Sequence, residues 1–152
     1  MVRIREAVSG DLPALGKLFD QYRQFYQLPT DVAKATAYLE ARLGARESVV
    51  LVAADDAEQL LGFTQLYPTW CSLLAGPVYV LYDLYVALQA RRRGVGRALL
   101  KAAAERGRRD GKLRMTLSTA KTNADAQSVY ESLGWERDSE FYVYNLSPQD
   151  RA

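Results

Sequence analysis

The chain of 152 residues contains no histidine and a single cysteine, Cys71. Without histidine there is no Cys–His nucleophilic pair, no Cys/His zinc cluster and no imidazole to compete as a proton donor. One cysteine cannot close an internal disulfide, and its thiol is open to two readings, a reactive group or a passive loop thiol. No metal site is expected. Long apolar runs are missing as well, since none reaches the roughly 18–20 residues that a membrane span needs. The start, Val2-Arg3-Ile4-Arg5, alternates and does not form a basic-then-apolar leader. A cytoplasmic location with no membrane partner is the expectation.

What the chain does have is 49% hydrophobic and 25% charged residues, the make-up of a globular domain with a sizeable core. One domain is expected over residues 1–146, with 147–152 as a short frayed tail. The net charge of +2 conceals an asymmetry. Residues 91–114 hold ten Lys/Arg against Glu105 and Asp110, a local charge of +8, while the rest of the chain carries −6. Such a segment suits a polyanionic partner, either nucleic acid or a phosphorylated cofactor, or else forms a solvated helix face.

Periodicity predicts a strand over residues 2–8, then a helix in which Leu12, Leu15, Leu18, Phe19, Tyr22, Phe25 and Tyr26 recur at helical spacing, with Ser9 or Asp11 as its cap. A second helix is predicted over 31–43. Residues 48–54 and 60–67 read as a hairpin around the acidic turn Asp55-Asp56-Ala57-Glu58, followed by a loop over 68–77. The Val-, Leu- and Tyr-rich run 78–86 predicts a central strand. A helix over 94–109, a strand over 112–118, a helix over 124–133 closed by Gly134, and an alternating strand over 140–146 complete the order βααβββαβαβ. This is an α/β architecture, a mixed sheet with helices on both faces.

The most informative stretch runs from Leu81-Tyr82-Asp83-Leu84-Tyr85-Val86 through Ala87-Leu88-Gln89-Ala90 into Arg91-Arg92-Arg93-Gly94-Val95-Gly96-Arg97. A strand enters a turn with two glycines and then opens a helix. Unpaired backbone N–H groups and the positive end of the helix dipole therefore point at one spot, an anion site, where glycine admits a phosphate oxygen close to the backbone. No Walker loop is present. A dinucleotide fingerprint fails because Leu99 stands where a third small residue is needed, and Met115 and Thr116 where the acid would be.

The stretch resembles the pyrophosphate-binding motif of the GCN5-related N-acetyltransferase (GNAT) family, Gln/Arg-x-x-Gly-x-Gly/Ala after the central strand. A second match stands downstream, Asn123-Ala124-Asp125-Ala126-Gln127-Ser128-Val129-Tyr130-Glu131-Ser132-Leu133-Gly134-Trp135. Together the matches extend from Ile4 to Tyr142, and Gly62 to Pro68 also looks like the third strand of bacterial members akin to histone and polyamine acetyltransferases. The resemblance implies a splayed sheet that binds acetyl-CoA and transfers its acetyl group directly to a primary amine of a small molecule or peptide. It implies cofactor contacts at Leu84, Tyr85, Val86, Arg91, Arg92, Arg93, Gly94, Val95, Gly96, Arg97, Asn123 and Ala126, with N–H groups near Leu84 and Tyr85 polarising the thioester carbonyl. Tyr130 would protonate the departing thiolate; without the upstream motif it would read as an apolar-face residue of its helix.

The sequence departs from the family at Tyr82, where several relatives carry a glutamate that serves as base. Asp83 is the nearest carboxylate, but strict alternation faces it away from Tyr82 unless a bulge intervenes, so base and structural roles both stand for it. The acceptor wall is expected from Tyr22, Phe25, Tyr26, Tyr38, Tyr67, Trp70, Tyr142 and Tyr144, with Glu40 and Glu140 supplying negative surroundings for a cationic amine; these aromatics can equally be core. A catalytically weak CoA-binding regulatory domain is one alternative. A nucleic-acid-binding module is another, weakened by the lack of aromatic platforms beside the arginines. The alternating residues 141–144 either pair with a second copy in a homodimer or close the sheet.

Overall fold

The computed structural model of the chain describes residues 1–150, which fall into two compact units, one ending at Ser118 and the other beginning at Thr119. The first unit contains β1 (Arg3–Glu6), α1 (Leu12–Phe25), α2 (Val32–Gly44), β2 (Val49–Ala54), β3 (Leu60–Cys71), β4 (Gly76–Val86), α3 (Val95–Arg109) and β5 (Met115–Leu117). The strands form one sheet in the order β1-β2-β3-β4-β5. The first three pairings are antiparallel, whereas β4 and β5 run parallel and pair only at Tyr79↔Met115, Val80↔Thr116 and Leu81↔Leu117. From Tyr82 onward β4 therefore has no ladder partner on its β5 side among the described residues. This is the splay expected of the sheet.

Adjacent residues of β3 show how both faces are covered. Phe63 packs edge-on against Phe19 and Tyr22 of α1. A Cβ on its neighbour Gly62 would lie 3.4 Å from Leu99 of α3 and 2.7 Å from the Tyr85 carbonyl oxygen. Successive strand residues point to opposite faces, so the α1–α2 hairpin and α3 sandwich the sheet. Accordingly β3 is buried without interruption from Leu60 to Leu66. The two helices of the hairpin approach closely at Gly16, where a Cβ would stand 2.0 Å from the Thr36 hydroxyl.

Two predicted boundaries differ for identifiable reasons. The expected loop over 68–77 is mostly strand: β3 continues to Cys71 and a turn at 72–75 leads straight into β4. Pro68 is tolerated because β2 stops pairing at Val49↔Leu66, which leaves the proline on a free edge that needs no N–H donor. Cys71 thus sits at a strand end. Asp11 does not cap α1 with its side chain; its carboxylate reaches back to accept from the Val8 N–H and pairs with Arg5 at 2.8 Å. No helix of the described residues is long and apolar enough to cross a membrane.

The second unit contains α4 (Ala124–Ser132), capped by the Asn123 side chain and stopped at Gly134, whose φ of +94° suits glycine. The strand expected over 140–146 does not form. Asp138 accepts from the N–H groups of Glu140 and Phe141, turning the chain there. Phe141, Tyr142, Val143 and Tyr144 are 68%, 91%, 83% and 90% exposed. Alternation makes a strand only where a second edge supplies hydrogen bonds, and this unit has no other strand among its described residues. The tail begins with a short 3-10 turn, Pro148–Asp150, and ends in residues outside those described.

Candidate functional site

The glycine turn forms as the sequence predicts. Arg92 and Gly94 both take left-handed backbone, with φ of +62° and +77°, and Gly94 is the N-cap of α3. Alternating handedness of this kind curls successive N–H groups into a nest. The first N–H groups of α3 have no intrahelical partner, and the helix dipole adds to their pull on an anion. A Cβ at Gly94 would meet nothing within 4 Å, so open space lies above the turn. Buried Val95 fastens the helix start to the core.

Arg91, Arg92, Arg93 and Arg97 form no ion pair among the described residues, whereas further along α3 Arg106 pairs with Glu6 and Asp110, Arg108 with Glu105, and Arg109 with Asp110. Four unpaired cations of the basic segment thus stand at its glycine end. Arg91 is held in place: its Nε donates to the Val86 carbonyl at 3.0 Å and its guanidinium lies 5.4 Å from the Tyr85 ring centroid. Free cations, a nest, a helix start and room for ligand fit a diphosphate. The splayed half of β4, with Leu84, Tyr85 and Val86, leads directly into this turn.

The strand also carries the feature that the alternation rule forbids. Between β3 and β4 the register runs Gln65↔Asp83 and then Leu66↔Leu81, so Tyr82 is an extra residue, a β-bulge. Tyr82 and Asp83 consequently both line a cavity of about 610 Å³ shared with Phe19, Tyr22, Tyr26, Tyr38, Tyr67 and Ala35. Of the aromatics expected in the acceptor wall, Tyr22, Tyr26, Tyr38 and Tyr67 are there. Phe25 and Trp70 are not, and Trp70 is 77% exposed. Tyr142 and Tyr144 belong to the second unit. The expected acidic neighbour Glu40 does not line the cavity either; its carboxylate is Asp83, and its other charged residues are Arg23 and Lys34.

Asp83 is buried and anchored. Gln65 donates its Nε2 to Asp83 Oδ2 at 2.7 Å, and Gln65 Oε1 accepts from Ser48 at 2.8 Å. Thr64 donates to the Asp83 backbone carbonyl at 2.8 Å. Burial pushes the Asp83 carboxyl above the usual carboxylate range, opposed by the Gln65 and Tyr22 hydrogen bonds. Burial, with the Asp83 charge adding to it, also drives the Tyr22 and Tyr67 hydroxyls up, so both stay neutral. Tyr38 and Tyr67 share a hydrogen bond of 2.5 Å across the cavity rim.

Sequence reasoning missed Gln65, Ser48 and Asp20. Gln65 had a signal: it is a lone amide within an otherwise apolar, doubly covered strand, which demands a buried partner. Asp20 had none. It is 2% exposed and accepts from the Asp31 N–H at 2.7 Å, the Thr30 hydroxyl at 2.7 Å and Gln24 at 2.9 Å, so it clamps the α1–α2 connection. These bonds hold its carboxyl below the usual range.

In the second unit Tyr130 lies on α4, half-buried, with its ring 6.4 Å from that of Trp135. The Asn123 side-chain oxygen accepts from the Ala126 N–H at 3.3 Å, so that N–H is already engaged in capping α4.

Comparison with known proteins agrees with this geometry. The model of the Acetyltransferase (GNAT) family matches residues 15–135. The uncharacterized N-acetyltransferase YhfO of Bacillus subtilis (strain 168) is 42% identical over 96% of this chain and 97% of its own. The L-methionine sulfoximine/L-methionine sulfone acetyltransferase of Pseudomonas paraeruginosa is 30% identical over 88% of this chain and 79% of its own. A crystal structure of a probable acetyltransferase superposes with a TM-score of 0.90 at 42% identity, covering 95% of this chain and 97% of that one. The chain belongs to the GNAT family and is an acetyl-CoA-dependent N-acetyltransferase.

Proposed function

We propose that the acceptor amine sits in the cavity lined by α1, α2 and β4, and that the turn at 91–96 holds the cofactor diphosphate. The bulge at Tyr82 carries this reading, because it turns a buried carboxylate into an aromatic cavity on the strand that runs on to the phosphate turn. When bound, acetyl-CoA supplies an acyl group activated as a thioester. The N–H of Leu84, which alternation turns away from β3 toward the splayed side of β4, polarises its carbonyl. Arg91, Arg92, Arg93 and Arg97 hold the diphosphate with the N–H groups of Gly94, Val95 and Gly96, and Asn123 and Ala126 contact the pantetheine arm.

An alkylammonium must lose a proton before its nitrogen can attack. Asp83 holds the ammonium and takes that proton. Tyr130 would give its hydroxyl proton to the departing thiolate, and the second proton shed by the nitrogen would replace it. The net products are the amide, the free thiol and one proton. The role of Tyr130 rests on its place in the motif from Asn123 to Trp135.

Residues 1–146 act as one catalytic domain in the cytoplasm, and pairing with a second copy through the alternating residues 141–144 belongs to the same reading. The direct test is release of free thiol from acetyl-CoA against a panel of primary amines, with wild type and Asp83→Asn compared. Equal kcat/KM in the two proteins for every amine turned over would remove the cavity as the acceptor seat.

A further inference from the structure

The charges lining the cavity do not suit a simple cation. Asp83 is its one carboxylate, while Arg23 and Lys34 are two cations and the remaining lining residues are neutral. Neither Arg23 nor Lys34 forms an ion pair among the described residues. Asp20 attracts Arg23 at longer range, but its own oxygens are taken by Asp31, Thr30 and Gln24. The groups also come from different walls. Asp83 belongs to the sheet and is 5% exposed, whereas Arg23 is on the last turn of α1 and Lys34 on the first turn of α2, on either side of the connection that Asp20 clamps.

A polyamine placed here would bring a second positive charge toward two fixed ones, which is destabilising in a partly enclosed site. A molecule with an ammonium at one end and an anionic group at the other satisfies all three residues. Its ammonium meets Asp83 and the faces of the tyrosines, and its anionic group meets the Arg23 guanidinium and the Lys34 ammonium, as charge-assisted hydrogen bonds. The volume of about 610 Å³ accommodates one small molecule with an apolar body against Phe19, Tyr26 and Leu28.

We propose that the acceptor is a small zwitterionic amine of the amino-acid class, its amine directed to Asp83 and its carboxylate held by Arg23 and Lys34. This rests on the cavity being the acceptor seat. The chemistry is the transfer described above: the amine nitrogen is acylated, and the carboxylate is bound but unchanged.

The experiment measures acetyl-CoA-dependent thiol release by the full chain with matched sets: apolar L-amino acids, their carboxamides, and the amines lacking the carboxyl group, with spermidine alongside. At least one amino acid is expected to exceed its carboxamide and its decarboxylated amine by tenfold or more in kcat/KM, and spermidine to fall below all of them. Arg23→Gln and Lys34→Gln, both at unpaired surface-accessible positions, should each raise KM for that amino acid about tenfold or more with kcat nearly kept. The same variants should leave the carboxamide within about twofold, a split that a merely structural role would not produce. Carboxamides or spermidine used as well as the acids, or an amino-acid KM indifferent to both substitutions, would overturn the proposal. Asp83→Asn separates this failure from that of the underlying reading. If it lowers turnover of every amine while acid and carboxamide are equal, only the zwitterion assignment falls; if it changes no amine, the cavity assignment falls with it.

Discussion

Gly94 gives the sharpest test of the phosphate turn, because strain and charge can be separated there. Its φ of +77° lies in the left-handed region, and an added Cβ would meet nothing within 4 Å. A side chain therefore costs about 1 kcal/mol of backbone strain and no clash, with Asn and Asp the most tolerant residues. Gly94→Asn measures that strain together with the loss of room above the turn. Gly94→Asp has nearly the same shape but sets a carboxylate beside the diphosphate. At a separation of about 5 Å the repulsion is roughly 1–3 kcal/mol per unit charge, for an effective dielectric between about 80 and 20. The Asp variant should consequently bind coenzyme A about 10- to 100-fold more weakly than the Asn variant, while the two melt within a few degrees of each other. Isothermal titration of CoA gives both affinities, and raising the salt should narrow the gap, because exposed charges are screened. The stabilisation of the fold by saturating CoA should shrink in parallel. Equal CoA affinity in the two folded variants would refute the placement of the diphosphate.

Tyr130→Phe should keep CoA affinity and cut kcat about 10²- to 10⁴-fold, the range of a positioned general acid; near-wild-type turnover with chemistry rate-limiting would remove it from the mechanism. Asp20→Ala should destabilise the fold by about 2–3 kcal/mol at pH 7, since it removes hydrogen bonds to a buried carboxylate. Because the folded-state pKa of Asp20 lies below its unfolded value, its contribution is full above about pH 5 and is lost as pH falls through that folded pKa, so wild-type and Asp20→Asn melting curves should converge in acid. Asp83 has the opposite sign. Its carboxyl is raised in the fold, so wild-type stability declines as pH rises through that value, and Asp83→Asn should melt at or above wild type near pH 7.5 with the difference vanishing below about pH 4.

The elements legible in the sequence were those governed by one chain segment at a time. Helical spacing placed α1 and α2, and Gly94 marked the start of α3 because a left-handed cap is a local requirement. The bulge was not legible. It is a relation between two strands, Gln65 and Leu66 against Leu81 to Asp83, and nothing within either run announces it. The same holds for Pro68, which reads as a breaker until the early end of β2 shows that its edge is free. Asp20 is one of many acids on a helix face until the partners at Thr30 and Asp31 close around it. The alternation at 140–146 misled in the other direction, as a local pattern without an edge to join.

The Asp20 clamp bears on how such an enzyme changes its substrate. Most of the cavity wall comes from the hairpin Leu12–Gly44, inserted between two strands, β1 and β2, that pair with each other, whereas the phosphate turn belongs to the β4–α3 connection far downstream. In the proposed reading, acceptor choice and cofactor grip lie in separate segments of the chain, so that a hairpin exchange should alter the first and spare the second. A transplanted hairpin would need to bring Asp20 and Thr30 as a pair, with an N–H at position 31 to meet them. Around that knot, residues 23, 26, 28 and 34 line the cavity, and on the proposed reading they are the ones whose exchange would change what enters.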